Sequence, residues 1–259
     1  LRDAYRIQRE SQVDPTAAGH APHFEPSKLL DYELEMGIFI AEGNDLGSPV
    51  PITEAGARIF GLCLLNDWSA RDLQKWEYQP LGPFLSKNFA TSISPWVVTA
   101  EALAPFRVAA AHRPEGDPAP LPHLKSAQDQ ALGGFDVNLE VSLSTRAMRS
   151  HGHSPVRLSR SNVASLYWTP AQMIAHHTSG GCNLNPGDLL GTGTVSGKTK
   201  DSRGCLLELT MRGKDRIALP GGESRSFLED GDEVIFTASC QREGFARIGF
   251  GECRGVVIG

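Results

Sequence analysis

The sequence predicts an α+β fold rich in strand: a mixed β-sheet roll or sandwich with a few short helices, formed by residues 1–259 as one domain. Three observations lead there. The chain carries 27 glycines and 17 prolines, spread too widely for long helices and well placed for turns between short strands. Val137-Asn-Leu-Glu-Val-Ser-Leu143 alternates apolar and polar residues, the period of a strand buried on one face. Convincing helix starts are few. Thr169-Pro170 is the clearest, with a threonine to cap and a proline in the first turn.

Taken in order, residues 1–27 are polar, broken by Pro15, Pro22 and Pro26, and read as loop. Lys28 to Ala41 reads as a strand. Ile52 to Phe60 reads as a short helix with Thr53 as its N-cap. Leu62-Cys-Leu-Leu65 is an apolar strand ending at Asn66-Asp67. Ser69 is placed to cap a helix through Trp76, with Arg71, Gln74 and Tyr78 spaced three and four apart on one face. Ile93 to Val98 reads as a strand. Residues 104–134 hold Pro105, Pro114, Pro118, Pro120 and Pro122 and read as a long irregular surface excursion. His151-Gly-His153 falls in a polar turn and reads as solvated loop, since no further Cys or His supports a metal there.

The helix from Thr169 stops near Gly180-Gly181. Pro186-Gly-Asp188 is a turn before Leu189-Leu190 and the glycine-rich stretch Gly191-Thr-Gly-Thr-Val-Ser-Gly197. Its glycines allow close backbone approach to a ligand, but it has neither Walker nor Rossmann spacing. Cys205 to Met211 reads as a strand, with Cys205, Leu207, Leu209 and Met211 on one face and Glu208 on the other. Glu233 to Cys240, Gly249 to Gly251 and Val256 to Ile258 complete the sheet.

Composition narrows the functional classes. A net charge of −5 argues against a nucleic-acid surface. No stretch reaches the roughly 18 apolar residues of a membrane span. Cys63, Cys182, Cys205, Cys240 and Cys253 are odd in number and scattered, which suits free thiols in a reducing compartment, the cytoplasm. The chain begins at Leu1 rather than at Met, and residues upstream of it are expected to be absent from this sequence.

Asp31-Tyr-Glu-Leu-Glu-Met36 holds the chemistry. Alternation on a strand projects Glu33 and Glu35 together, and Leu34 and Met36 the other way. Taken alone, the pair reads as a wet strand face with two surface glutamates. Buried, the two carboxylates would repel, and a bound hard cation is the simplest remedy, because Mg²⁺ and Ca²⁺ prefer carboxylate oxygen. Asp67 becomes a third ligand if its strand end lies alongside.

Five blocks of the chain, read together, resemble the fumarylacetoacetate hydrolase family. They are Asp31–Met36, Asn66-Asp-Trp-Ser-Ala-Arg-Asp72, Trp76-Glu-Tyr-Gln-Pro-Leu-Gly-Pro-Phe-Leu85, Gly181-Cys-Asn-Leu-Asn-Pro-Gly-Asp-Leu-Leu190 and Asp230-Gly-Asp-Glu-Val234. The resemblance runs from about residue 28 onward and weakens in 104–134 and 144–165. It implies a β-rich catalytic domain, a homodimer, and hydrolysis of a carbon–carbon bond in a β-diketo acid. It assigns Glu33, Glu35 and Asp67 to a divalent ion, Mg²⁺ or Ca²⁺. It places Arg71, Gln74 and Lys87 around the reacting carbonyl, and Gln74, Tyr78 and Thr194 against the substrate. A second, structural cation is implied near Asp67, Lys87 and Thr91, and Glu208 would orient the catalytic base and its water.

The family also has a small β-barrel domain and a stretch bearing a fourth metal-ligand aspartate, a substrate-binding Tyr and Arg, and the general-base histidine. None of these has a match here. His20 and His23 lie too close to the glutamate pair, and His176 and His177 read as helix-end residues. The leading expectation is cleavage of fumarylacetoacetate to fumarate and acetoacetate in tyrosine and phenylalanine breakdown. An acylpyruvate hydrolase or a keto-acid decarboxylase/isomerase is an alternative within the superfamily. A non-catalytic, metal-holding dimerisation module is the alternative outside enzymes.

Overall fold

The computed structural model describes residues 8–10 and 24–258. Two antiparallel sheets carry most of the strand. The first has the order Leu189–Gly191, Leu34–Ile40, Ile59–Asp67, Thr91–Ile93, and Val98–Thr99 also pairs with Ile59–Asp67. The second has the order Val156–Asn162, Asn138–Ser144, Glu233–Cys240, Ile248–Val256. Four two-stranded ribbons complete the strand pairing, one of them joining Leu30–Asp31 to Ser69–Ala70. The α+β, β-rich expectation stands. Every ladder among the described residues is antiparallel, so the sheets are not mixed in strand direction.

Both sheets bury apolar residues in one common core. Leu34, Met36, Ile38, Leu62 and Leu64 of the first sheet and Leu139, Val141, Leu143 and Phe236 of the second are fully covered. Tyr32 packs edge-on against Phe236, with ring centroids 5.6 Å apart, a geometry that aromatic quadrupoles favour. The core thus lies directly behind the strand Leu34–Ile40, which carries Glu35 and follows Glu33.

Several local expectations are corrected. The strand expected over 28–41 is interrupted at Tyr32-Glu33, between Leu30–Asp31 and Leu34–Ile40. The helix expected over 52–60 spans only Ile52–Ala55, continues as a 3-10 turn through Arg58, and becomes strand at Ile59. Its N-cap is Pro51, not Thr53. The next helix is Arg71–Glu77, capped by Ala70; Ser69 lies in a ribbon strand instead. The strand expected over 93–98 is two pieces, Thr91–Ile93 and Val98–Thr99. Within 1–27, Gln8–Glu10 pairs with Phe24–Pro26; His20 and His23 lie outside the described residues. The excursion 104–134 contains a largely exposed helix, Ala127–Leu132, anchored by its buried Asp129, which accepts the Thr169 hydroxyl at 2.9 and 3.0 Å.

Others hold. Pro170–Thr178 is a helix whose Thr169 and Gln172 form a capping box, satisfying two otherwise orphaned N–H groups. Glu233–Cys240 is a strand as expected. Gly249 to Val256 lies in one strand, Ile248–Val256, rather than two. All five cysteines are free.

Phe236 joins the two sheets behind the glutamate pair. Truncating it to alanine is expected to lower the unfolding free energy by about 3–5 kcal/mol, read from chemical denaturation followed by far-UV circular dichroism. A loss below about 1 kcal/mol would contradict a shared core at this point.

Candidate metal and active site

Strand register builds the site. Leu34 lies opposite Asn66 and Glu35 opposite Leu65, and the ladder runs one step further, the Asp67 N–H donating to the Glu33 carbonyl at 3.3 Å. Residues directly opposite in an antiparallel pair share a face. Glu33 and Asp67 therefore stand side by side, with Glu35 two residues along the same face. Donor oxygens of Glu33, Glu35 and Asp67 all lie within 4.8 Å of one another, the only such group of acidic, His or Cys side chains among the described residues. The wet-strand alternative is excluded, since Glu33 and Glu35 are only 9% and 3% exposed.

Two cations hold this charge in place. Arg71 donates from Nη1 to Glu33 Oε1 at 2.5 Å and to Gln74 Oε1 at 2.9 Å, and from Nε to Asp31 Oδ2 at 2.8 Å. Lys87 Nζ bridges Glu33 Oε2 at 2.8 Å and Asp67 Oδ2 at 2.9 Å. Burial would raise the Glu33 carboxyl, but Arg71 and Lys87 outweigh it and hold it at about 2. Glu35 gains no such partner. Burial pushes its carboxyl up, and the charges of Glu33 and Asp67 push it further, to about 8. Burial also raises the Asp67 carboxyl, against the pull of Lys87.

The glycine-rich stretch closes over Glu35. Leu189–Gly191 pairs with the glutamate strand, and beyond it the Thr192 and Val195 N–H groups donate to the carbonyls of Met36 and Leu34. The Gly193 N–H donates to Glu35 Oε2 at 2.9 Å, with φ at +75°, a conformation glycine adopts without strain. A Cβ on Gly191 would sit 2.7 Å from Glu35 Oε2, so a larger residue there would push the carboxylate from its place.

Gln74, half-buried, has its amide oxygen committed to Arg71. Tyr78 is exposed at the C-cap of the same helix. Thr91 lies opposite Asp67 in the ladder. Thr194 is half-exposed in the glycine-rich stretch. Glu208 is not on a strand: it belongs to the helix Leu206–Leu209. Its carboxylate accepts the Ser196 hydroxyl and the Cys205 thiol, with Arg203 at 3.8 Å. His151 and His153 are exposed in their turn. His176 and His177 are exposed at the end of their helix, with His177 Nε2 3.4 Å from Cys182 Sγ.

Three functional contributors escaped the sequence reasoning. Glu77 accepts the backbone N–H groups of Phe84, Leu85 and Ser86, shaping the turn between Tyr78 and Lys87. Ser196 bridges Glu208 and the Gly204 N–H. Asp31 supports Arg71. Only Asp31 had a signal, as the third acid in the alternation 31, 33, 35.

The donor set fits a hard divalent cation. It offers carboxylate oxygen only, one carboxyl is destabilised by its like-charged neighbours, and a fixed glycine backbone supports that carboxyl. On an antiparallel α+β scaffold, these residues form a candidate cation centre flanked by an arginine, a lysine and an amide.

The chain belongs to the fumarylacetoacetate (FAA) hydrolase C-terminal family, whose model matches residues 5–258. It is 52% identical over 237 residues to the fumarylacetoacetase of Bos taurus, covering 92% of this chain and 54% of that one. It is 48% identical over 251 residues to the fumarylacetoacetase of Arabidopsis thaliana, covering 95% and 57%. The chain thus spans just over half the length of the curated relatives it matches. A solved fumarylpyruvate hydrolase from Pseudomonas aeruginosa, in complex with Mn²⁺ and pyruvate, shares the fold at a TM-score of 0.50 and 17% identity, covering 97% of this chain and 86% of that one. Among the described residues, no helix is long and apolar enough to cross a membrane.

Cation uptake must displace the proton that Glu35 holds below about 8. Apparent affinity for Mg²⁺ or Ca²⁺ is therefore expected to rise with pH, by up to about tenfold per unit, and to level off above about 8. The metal-free fold has the opposite slope. Protonated Glu35 is favoured in the folded state, so its contribution to stability falls as pH rises from the unfolded carboxyl value toward 8. Isothermal titration calorimetry in two buffers of different ionisation enthalpy reads the proton release. A pH-independent affinity with no proton released would contradict this site.

Proposed function

We propose that this chain forms the metal-binding catalytic centre of a hydrolase that cleaves a carbon–carbon bond in a β-diketo acid, with 4-fumarylacetoacetate as substrate and fumarate and acetoacetate as products. The observation that carries the proposal is the convergence of Glu33, Glu35 and Asp67 with Arg71, Gln74 and Lys87, in a chain about half identical to fumarylacetoacetases. The reaction would serve tyrosine and phenylalanine catabolism in the cytoplasm, in a homodimer.

Glu33, Glu35 and Asp67 would hold the ion, Mg²⁺ or Ca²⁺. Once bound, it would supply Lewis acidity and orient the diketo oxygens. The remaining roles belong to the protein. Arg71 keeps its position through Asp31 and Glu33, while its Nη2 is buried with no hydrogen-bond partner among the described residues. An orphaned charged donor is costly, and a developing oxyanion is the partner that would satisfy it.

Gln74 turns its oxygen to Arg71, leaving the amide nitrogen to donate to a substrate oxygen. Lys87 carries a compact charge on a flexible stem, and from its place between Glu33 and Asp67 it would stabilise negative charge on the leaving enolate. Tyr78 and Thr194 would contact the substrate beyond the reacting carbonyl. Glu208, fixed by Ser196, would orient the general base and its water. A second, structural cation near Asp67, Lys87 and Thr91 belongs to the same proposal.

The test is decay of fumarylacetoacetate absorbance by the native full-length protein supplied with Mg²⁺ or Ca²⁺. Chelation and Glu33→Gln are expected to abolish the decay. Arg71→Lys, which keeps the charge but loses the fork, is expected to lower kcat by about 10²–10³. Decay indifferent to chelation and to both substitutions would overturn the assignment. Turnover of a pyruvyl acid with no turnover of fumarylacetoacetate would do the same for the substrate.

A further inference from the structure

Asp31 is completely buried, and its carboxylate accepts four hydrogen bonds. Oδ1 accepts the backbone N–H groups of Tyr32 and Leu206, each at 2.8 Å. Oδ2 accepts Arg71 Nε at 2.8 Å and the Leu207 N–H at 3.0 Å. The donors come from three stretches far apart in sequence: the glutamate segment itself, the start of the Arg71–Glu77 helix, and the start of the Leu206–Leu209 helix.

The third of these is the informative one. A four-residue helix has no cooperative stability of its own, and its first N–H groups have no intrahelical partner. Its N-cap, Cys205, makes no side-chain capping bond. Asp31 supplies the missing acceptor for the first two residues, and the third residue is Glu208. One buried carboxylate therefore fixes both the guanidinium that meets Glu33 and the turn that presents Glu208. Asp31 and Glu208 share no hydrogen bond among the described residues, so any coupling between them passes through this arrangement.

We infer that Asp31 is a positioning residue that sets Arg71 and Glu208 in register with each other. This inference rests on the reading of the site as a hydrolase centre. Asparagine at this position keeps the shape but, whichever way its amide turns, sets an NH₂ against two donors, so two of the four bonds are lost, one of them to the Leu206 or the Leu207 N–H. A residue that only held the fold together would weaken every variant equally. A positioning residue loses its effect once the group it positions is gone.

The experiment is a double-mutant cycle on the native full-length protein with an exchange readout beside it. Asp31→Asn is expected to lower kcat by about 10–100-fold in the wild-type background. In the Glu208→Gln background its cost is expected to shrink by at least about threefold, the remainder reflecting its hold on Arg71. Equal losses in both backgrounds would overturn the inference and leave Asp31 a residue of the fold alone. Hydrogen exchange by mass spectrometry tests the clamp without reference to activity. Asp31→Asn is expected to speed exchange over 205–209 while Glu233–Cys240 keeps its protection; unchanged exchange over 205–209 would overturn the clamp. If the wild-type protein cleaves no β-diketo acid, the functional proposal fails by itself and the exchange result still decides the clamp. Should Asp31→Asn not fold, the unaltered protein still decides: the Leu206 and Leu207 N–H groups, both held by Asp31, are expected to exchange slowly, and unprotected exchange at both would overturn the clamp.

Discussion

Three carboxylates lie within a few ångströms of one another on a buried strand face, and the arrangement around them is set by that repulsion. Like charges at this range in a partly desolvated site cannot all ionise without help. Arg71 and Lys87 give that help unevenly. They neutralise Glu33 and grip Asp67, but among the described residues form no salt bridge with Glu35, whose carboxyl meets the Gly193 N–H and the Glu33 side chain instead. The result is a site with one carboxyl held ionised and a neighbour held protonated. Such divergence is how one cluster of carboxylates serves several roles. It also leaves a place where a divalent cation would relieve strain that the protein alone does not remove.

The fold supplies the rigidity this arrangement needs. The strand Leu34–Ile40 is paired on both sides, by Ile59–Asp67 and by Leu189–Gly191. Its opposite face is sealed by the common core, through Leu34, Met36 and Ile38. The glutamates cannot turn away from one another without breaking a ladder or exposing apolar surface. The stretch after Leu189–Gly191 keeps bonding along the same strand as far as Val195, so the loop that faces Glu35 is anchored rather than free. Charge, register and core packing therefore act together on the strand Leu34–Ile40 and on Glu33 just before it.

Much of this was legible in the sequence, and for identifiable reasons. Strand alternation was enough to bring Glu33 and Glu35 together, and the resemblance extended the set to Asp67, Arg71, Gln74 and Lys87. The Thr169 cap and the Glu233–Cys240 strand followed from local chemistry alone. Glu208 was misplaced because Cys205, Leu207, Leu209 and Met211 alternate as a strand would. The residues buried most deeply there are Leu206 and Thr210, spaced four apart as on a helix. What stabilises that helix is Asp31, 175 residues away, and no local pattern encodes such a contact. Asp31, Ser196 and Glu77 act through backbone N–H groups brought near by tertiary structure, which composition and periodicity do not report.

The most direct test of the account is anomalous diffraction from crystals of the native protein grown with Mn²⁺. The account expects a strong anomalous peak bounded by Glu33, Glu35 and Asp67, with oxygen ligands at about 2.0–2.6 Å. Lys87 is expected to have loosened its hold on at least one of those carboxylates. A map with no peak there, with Lys87 still bridging Glu33 and Asp67 at saturating Mn²⁺, would contradict it.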